Sequence, residues 1–163
     1  MTALSKQYFL LIAGFIGLLL LGALGGRLYF RGHSNLEKAL AQPRVLAADP
    51  HCDPVLHTCT AGNGHMMISL HVQSKVQPLQ RFSVQVKLGG GVAAAVNQVS
   101  VRFDMADMDM GENRFKLSRQ VEGIWQGQAL LPVCSHGGRD WRATVEAVGG
   151  AVYKTEFNLH VED

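Results

Sequence analysis

The clearest pattern in this chain is an alternation of apolar and polar residues that recurs in short stretches from residue 66 onward. In residues 68–72, Ile, Leu and Val alternate with Ser and His, and residues 82–88 and 141–147 repeat the pattern. A period of two is typical of half-buried β-strands. Turn-forming Gly, Pro and Asn separate the stretches at intervals of about 8–15 residues, without helical periodicity between them. The pattern therefore predicts an all-β domain.

The number of these stretches indicates the architecture. We count about seven short strands, which is typical of an antiparallel sandwich of immunoglobulin-like type. Trp125 and Trp141 share the parity of the apolar positions and are predicted to lie in the core. Because no Cys–Trp–Cys arrangement is present, an antibody-type domain is not expected. We assign residues 65–163 to this sandwich.

The stretch Val99–Gly111 begins as a strand and ends unusually. Its apolar residues alternate as far as Met105, whereas Met108 and Met110 have the opposite parity. One unbroken strand would place those two side chains on the polar face. We therefore expect a bulge or bend at residues 106–107, closed by the final glycine of the stretch.

Three methionines in six residues are also a candidate metal site. Thioether sulfur is a soft ligand that suits Cu(I), whereas the intervening aspartates suit hard cations. The alternative is structural, because methionine fills irregular gaps in cores and aspartate is a common turn former. The residues alone leave both interpretations open.

An apolar run without charged residues lies near the N-terminus. Tyr8–Leu24, extended by two glycines, has the roughly 18–20 residues that a helix needs to cross a bilayer. We predict a transmembrane anchor at residues 8–26 after a short cytoplasmic tail at residues 1–7. A cleaved signal peptide is the alternative.

Two rules predict opposite orientations for this anchor. The basic residues after the run outnumber those before it, which by the positive-inside rule would leave the domain in the cytoplasm. We nevertheless predict export, since short N-terminal tails are usually retained and a cysteine-bearing β-domain is typical of secreted proteins. The expected localisation is the bacterial inner membrane, single-pass, with the C-terminal domain in the periplasm.

Residues 27–64 are predicted to be a juxtamembrane helix followed by a linker. Ser34–Ala41 has the composition of a short helix, with Ser34 and Glu37 spaced as in a capping box. The prolines that follow, without periodicity, indicate a linker up to residue 64.

The linker contains two of the three cysteines, Cys52 and Cys59, and two histidines, His51 and His57; the third cysteine is Cys134. In an oxidising compartment two cysteines would pair and one would remain. A Cys52–Cys59 pair would close a local loop, and a Cys59–Cys134 pair would join the linker to the sandwich. We favour a pair that includes Cys134. A Cys/His metal site is the alternative, although the cysteine spacing does not match that of zinc knuckles.

Composition and motifs exclude two classes of function. The net charge is +2, and no basic run or interleaving of basic and aromatic residues predicts a nucleic-acid partner. No hydrolase, metalloprotease or nucleotide-binding motif is present. Cys134 and His136 are close in sequence, but a nucleophilic cysteine needs a geometrically positioned base. We predict that the chain is not an enzyme and keep His136 as a secondary metal candidate.

Three segments carry a resemblance to a known group. Residues 103–111 (Phe-Asp-Met-Ala-Asp-Met-Asp-Met-Gly), residues 123–132 with Gly-Ile-Trp and Leu-Leu-Pro, and residues 138–145 with Gly-Arg-Asp-Trp resemble the FixH/YtkA-like family. The resemblance covers roughly residues 66–161 and includes the single N-terminal anchor. It implies an exported, membrane-tethered immunoglobulin-like domain linked to copper handling, often beside the maturation of haem–copper oxidases. Met105, Met108 and Met110 match the family's methionines, whereas the cysteines and the neighbouring histidines lie outside its pattern.

Two hypotheses about function follow. The first is a membrane-anchored periplasmic protein that binds or delivers copper as Cu(I), with an oxidase subunit or another copper carrier as its partner. Its ligands would be Met105, Met108 and Met110, with His65 and Met66 closing over them from the start of a neighbouring strand. The second is a metal-free extracytoplasmic interaction module of a membrane complex, in which the methionines form an adaptable apolar contact.

Overall fold

The computed structural model of this chain describes residues 17–23, 25–26, 42–72, 75–105, 111–121, 123–132 and 139–161. Two compact units are distinguished, Met1–Ala41 and Gln42–Asp163. In the first unit, residues 17–23 and 25–26 are helical. The predicted tail at residues 1–7 and the predicted helix Ser34–Ala41 lie outside the described residues.

The second unit contains nine described strands and one short 3₁₀ helix. The strands are β1 Arg44–Leu46, β2 Cys59–Gly62, β3 Met67–Val72, β4 Arg81–Gly89, β5 Gln98–Met105, β6 Arg114–Val121, β7 Ile124–Leu130, β8 Asp140–Val148 and β9 Val152–His160. The 3₁₀ helix, Ala93–Ala95, precedes β5. The alternation predicted β3, β4, β5 and β8 closely, because the apolar residue at every second position of each strand is buried.

All nine described strands are hydrogen-bonded in one sheet of order β1-β9-β8-β5-β6-β7-β4-β3-β2. β1 is parallel to β9, and every other pair is antiparallel. An isolated bridge between Ala48, after β1, and Ala61, in β2, brings the two edges of the sheet together. The sheet therefore nearly closes on itself, and its interior is the core.

The strand β6 connects the two halves of the sheet. Its first part pairs with β5 from Arg114 to Leu117, and its second part pairs with β7 from Ser118 onward. The register becomes irregular near the end of the strand, between Arg119 and Val121. Because one strand changes partner along its length, the hydrogen-bonded ladder continues from one half of the sheet to the other.

The core consists of the inward side chains of both halves. Phe82 of β4 meets Phe103 of β5 edge to face, with ring centroids 5.4 Å apart, and Phe103 also contacts Phe115 at 6.2 Å. These contacts join the two halves across the interior. Trp125 and Trp141 are both buried, which confirms their predicted place in the core.

The predicted architecture was wrong in its details. The chain is all-β, but it does not form an immunoglobulin-like sandwich of about seven strands: nine strands lie in one nearly closed sheet. Two of them, β1 and β2, come from residues 44–62, a stretch predicted to be a linker. They are too short to show an alternation pattern.

The predicted membrane anchor is also corrected. Within the described ranges, the structure has no helix long and apolar enough to cross a membrane. A spanning helix needs about 20 residues, whereas the described helical residues in the predicted anchor are 17–23 and 25–26. The expectation of a transmembrane helix, and of a single-pass inner-membrane protein with a periplasmic domain, is therefore not supported.

Candidate functional site

Met105 is the last residue of β5 and lies at one end of the sheet. The odd-numbered strands end there, and the even-numbered strands begin there. We call this end of the sheet the Met105 end. Met105 pairs with Trp141 of β8, which pairs with Leu159 of β9, and its side chain packs partly buried against the core. Met108, Met110 and the predicted bulge lie outside the described residues.

The connection between β5 and β6 begins and ends at this same place. The backbone N–H of Phe103 donates to the carbonyl of Asn113 at 3.1 Å, and the Asn113 side-chain amide donates back to the Phe103 carbonyl at 3.2 Å. Gly111 has a φ of +65°, which favours glycine. The two flanks of the methionine segment are therefore held together as the base of a hairpin.

His65 and Met66 lie in the β2–β3 turn, at the opposite end of the sheet. Asn63 holds this turn, because its side-chain oxygen accepts hydrogen bonds from the backbone N–H groups of both residues at 3.2 Å. β5 has eight residues, so the two ends are roughly 25 Å apart at about 3.3 Å per residue. Met66 is fully buried. The predicted closing of His65 and Met66 over Met105 is therefore wrong.

The described disulfide joins Cys52 and Cys59. Their Cα atoms are 5.7 Å apart, and seven positions separate them in the sequence. The preference for a pair that includes Cys134 was wrong, because the chain turns back within residues 49–57. In that turn the N–H of Cys52 donates to the Asp49 carbonyl, and the N–H of His57 donates to the Asp53 carbonyl. Cys134 and His136 lie outside the described residues.

A cleft of about 400 Å³ opens at the Met105 end, between this turn and the outer face of the sheet. One wall comes from the turn, and the other comes from the start of β8 and the end of β9. The lining residues are Pro50, His51, Cys52, Asp53, Asp140, Trp141, Arg142, Asn158, Leu159 and His160.

Hydrogen bonds hold the two walls of the cleft together. The Asp53 carboxylate accepts from the backbone N–H of His160 at 3.0 Å, and the Asn158 amide donates to the Pro50 carbonyl at 3.1 Å. Across the β8–β9 pair, Nδ1 of His160 lies 2.8 Å from the carboxylate of Asp140. The turn is thus fixed on β9, and one imidazole is oriented by a carboxylate.

Charged side chains continue along the outer face from the cleft. Arg142 lies 4.0 Å from Asp104 and 3.6 Å from Glu156, and Lys154 lies 3.0 Å from Glu156. The hydrogen bond from Lys154 is the largest cause that lowers the pKa of Glu156. Arg102 pairs with Asp104 at 3.0 Å. The charge on Arg142 is therefore shared with carboxylates outside the cleft.

The structure brings together residues that sequence reasoning did not connect. Asp140 and His160 were not among the predicted site residues, and His160 contacts Asp53 from 107 positions away. No motif links positions so far apart. Among the described residues, no three or more His, Cys, Asp or Glu side chains form a group that could hold a metal ion.

Comparisons with known proteins identify no family. No family model matches the chain, and no curated protein sequence matches it. A crystal structure of a DUF4785 family protein from Legionella pneumophila subsp. pneumophila strain Philadelphia 1 is similar over 60% of this chain, at 13% identity and a TM-score of 0.43. This chain spans 28% of the length of that one. A similarity this low supports no conclusion about function.

Proposed function

We propose that this protein binds copper as Cu(I) through the thioethers of Met105, Met108 and Met110 and passes it to another protein. The observation that supports this most is the hairpin base at the Met105 end. Because Phe103 and Asn113 hold the flanks together, the chain between them begins and ends beside the partly buried Met105. The sequence between these two residues contains three thioethers within six positions, and soft sulfur ligands suit Cu(I).

The nearest carboxylate has other partners. Asp104 precedes Met105 and faces the opposite side of the strand, where Arg102 lies at 3.0 Å and Arg142 at 4.0 Å. A carboxylate paired with two guanidinium groups is a poor ligand for a soft cation. We therefore assign Asp104 to the ion-pair network on the outer face and the Cu(I) ligands to sulfur.

The ligand set is smaller than the sequence predicted. His65 and Met66 are removed from it, because they lie at the opposite end of the sheet. Delivery to a haem–copper oxidase subunit or to another copper carrier rests on the resemblance to the FixH/YtkA-like family. A thioether site at a strand end suits transfer, since it leaves the metal accessible to the ligands of a partner.

The test is a Cu(I) competition with a chromogenic chelator on the full chain with the disulfide intact. The double variant Met108→Leu/Met110→Leu keeps the apolar volume and removes the sulfur, and we expect it to weaken binding at least about tenfold. The matched control is Met67→Leu, because Met67 is 47% exposed and lies at the opposite end of the sheet. This control should bind as the wild type does.

Two results would contradict the proposal. Equal Cu(I) affinity in the wild type and in the double leucine variant would remove the thioethers from the site. Binding seen only after reduction of the disulfide would assign the metal to cysteine thiolates.

A metal-free interaction module is the second candidate, and exposed apolar residues favour it. Leu56 of the 49–57 turn is 70% exposed, and Leu79 before β4 is 64% exposed. Leu79 also has a φ of +60°, which strains a non-glycine residue. The backbone N–H of Leu79 donates to the Leu131 carbonyl, which places it at the Met105 end. A partner that binds there should still bind the double leucine variant, because its apolar surface is kept.

A further inference from the structure

We infer that the Cys52–Cys59 disulfide is a thiol-exchange site, at which a small-molecule thiol enters the cleft at the Met105 end and forms a mixed disulfide with Cys52. This inference goes beyond the proposed Cu(I) function and does not depend on it. The cleft volume of about 400 Å³ lies in the range that holds small organic molecules. A thiol of the size of a tripeptide is therefore a suitable partner.

The two sulfur atoms of the disulfide differ in access. Cys52 is partly buried and lines the cleft, whereas Cys59 is 1% exposed and belongs to the core. Exchange begins when a thiolate attacks one sulfur of a disulfide, and its rate depends on access to that sulfur. Attack from the cleft is therefore directed at Cys52, and Cys59 is the leaving group.

The position of Cys59 does not depend on the disulfide alone. Cys59 is the first residue of β2 and pairs with Leu70 of β3. Its Cα atom lies 5.7 Å from that of Cys52. Because the strand pairing holds Cys59 in place, its thiol stays beside the mixed disulfide and can attack Cys52 again. The exchange is therefore reversible.

A backbone carbonyl is available to the Cys59 thiol once the disulfide opens. Sγ of Cys59 lies 3.8 Å from the carbonyl oxygen of His57. A disulfide sulfur has no proton to donate, whereas the S–H group of a reduced cysteine is a weak donor. This hydrogen bond can therefore form only after cleavage, which favours the release of Cys59.

The turn that carries Cys52 is held on β9 by bonds that exchange leaves intact. The Asp53 carboxylate accepts from the backbone N–H of His160 at 3.0 Å, and the Asn158 amide donates to the Pro50 carbonyl at 3.1 Å. These contacts involve neither sulfur atom. Cys52 therefore remains at the wall of the cleft in the reduced chain.

The exchange has two balanced steps. In the first, the thiolate sulfur bonds to the Cys52 sulfur, the bond between Cys52 and Cys59 breaks, and the Cys59 thiolate takes a proton from water. In the second, another small thiol attacks the sulfur of the first, and Cys52 leaves as a thiolate that is protonated in turn. Two small thiols are oxidised to one disulfide, and the protein disulfide is reduced to two thiols.

The first test maps the mixed disulfide in the wild type. The full chain is incubated with excess glutathione, quenched in acid, digested at low pH and analysed by mass spectrometry. We expect the glutathionyl group on Cys52 and not on Cys59. The inference is overturned if the group is found on Cys59, or if a mixed disulfide forms only in urea.

The second test compares the two thiols one at a time, with Cys134→Ser in both chains to remove the third thiol. Circular dichroism checks that each chain is folded. With oxidised glutathione, Cys59→Ala should react at least about tenfold faster than Cys52→Ala, because its remaining thiol is the accessible one. In urea the two rates should become equal. Equal rates in the folded chains, or a tenfold difference that persists in urea, would overturn the inference.

Neither test contains copper. The Met108→Leu/Met110→Leu variant keeps all three cysteines and should exchange at the wild-type rate. Failure of the exchange therefore leaves the Cu(I) proposal standing, and failure of Cu(I) binding leaves the exchange standing.

Discussion

Removing the disulfide should measurably destabilise the domain, because Cys52–Cys59 holds the turn that forms one wall of the cleft. The cysteines are seven positions apart, so the bond closes a loop of about eight residues in the unfolded chain. By the chain-entropy relation, that restriction is worth about 2.5 kcal/mol at 25 °C. For a domain of about 120 residues, this corresponds to a fall in Tm of roughly 10 °C.

Two samples separate the loss of loop-closure entropy in the unfolded chain from the loss of sulfur packing in the folded core. The wild type in a phosphine reductant keeps both sulfur atoms and loses only the covalent bond, whereas Cys52→Ala/Cys59→Ala also removes sulfur from the core. Cys59 is 1% exposed, so the alanine variant should lose up to about 1 kcal/mol more than the reduced wild type.

Urea unfolding, monitored by tryptophan fluorescence, measures both the loss of the covalent bond and the loss of packing, since Trp125 and Trp141 are buried in the folded domain. The midpoint should fall in both samples, and it should fall further in the alanine variant. A loss of less than about 1 kcal/mol on reduction would refute the reasoning, because it would mean that the loop is equally restricted in the unfolded chain without the bond.

Two further predictions concern the backbone and the ion pairs. Gly90→Ala should destabilise the fold by more than about 1 kcal/mol in urea, because φ is +94° and a Cβ would overlap the carbonyl of His65. Gly91→Ala, with nothing within 4 Å of its Cβ, is the control, and equal stability of the two variants would contradict this. Glu156→Gln should lower the free energy of unfolding by about 0.2–1 kcal/mol near pH 7, because it removes the ion pair with Lys154, in which the Glu156 side chain is 40% exposed. Since the pKa of Glu156 is lowered from 4.5, the difference from the wild type should shrink as the pH falls below that value, and a pH-independent difference would exclude the ion pair as its source.

The strands that could be predicted are those whose burial alternates over six or more residues. β4, for example, was predicted over residues 82–88 and is observed over Arg81–Gly89. β1 and β2, with three and four residues, could not be predicted. β1 forms because β9, which is distant in the sequence, offers it a parallel partner, and such a tertiary contact leaves no local pattern. β2 pairs with the next strand, β3, but its four residues are too few to show a clear alternation.

The candidate site was predictable only in part, because the sequence does not show in which direction each strand runs in the sheet. Met105 was expected at the end of a strand, and it is the last residue of β5. His65 and Met66 were expected beside it because they precede a strand. However, β3 and β5 run in the same direction, because four antiparallel pairings separate them in the sheet. The start of one and the end of the other must then lie at opposite ends of the sheet.

The same period of two that predicts the strands also separates apolar from polar side chains at the Met105 end. Met105, Trp141 and Leu159 are paired in register and face the core. One residue away along the same strands, Asp104, Asp140 and His160 face outward, where imidazole and carboxylate groups can contact water. Because successive side chains of a strand point to opposite faces, a thioether at position 105 and an imidazole at position 160 cannot belong to one compact ligand set without a change of register. The partly buried thioether of Met105 and the imidazole and carboxylate groups of His160 and Asp140 are therefore kept on separate faces of one sheet end.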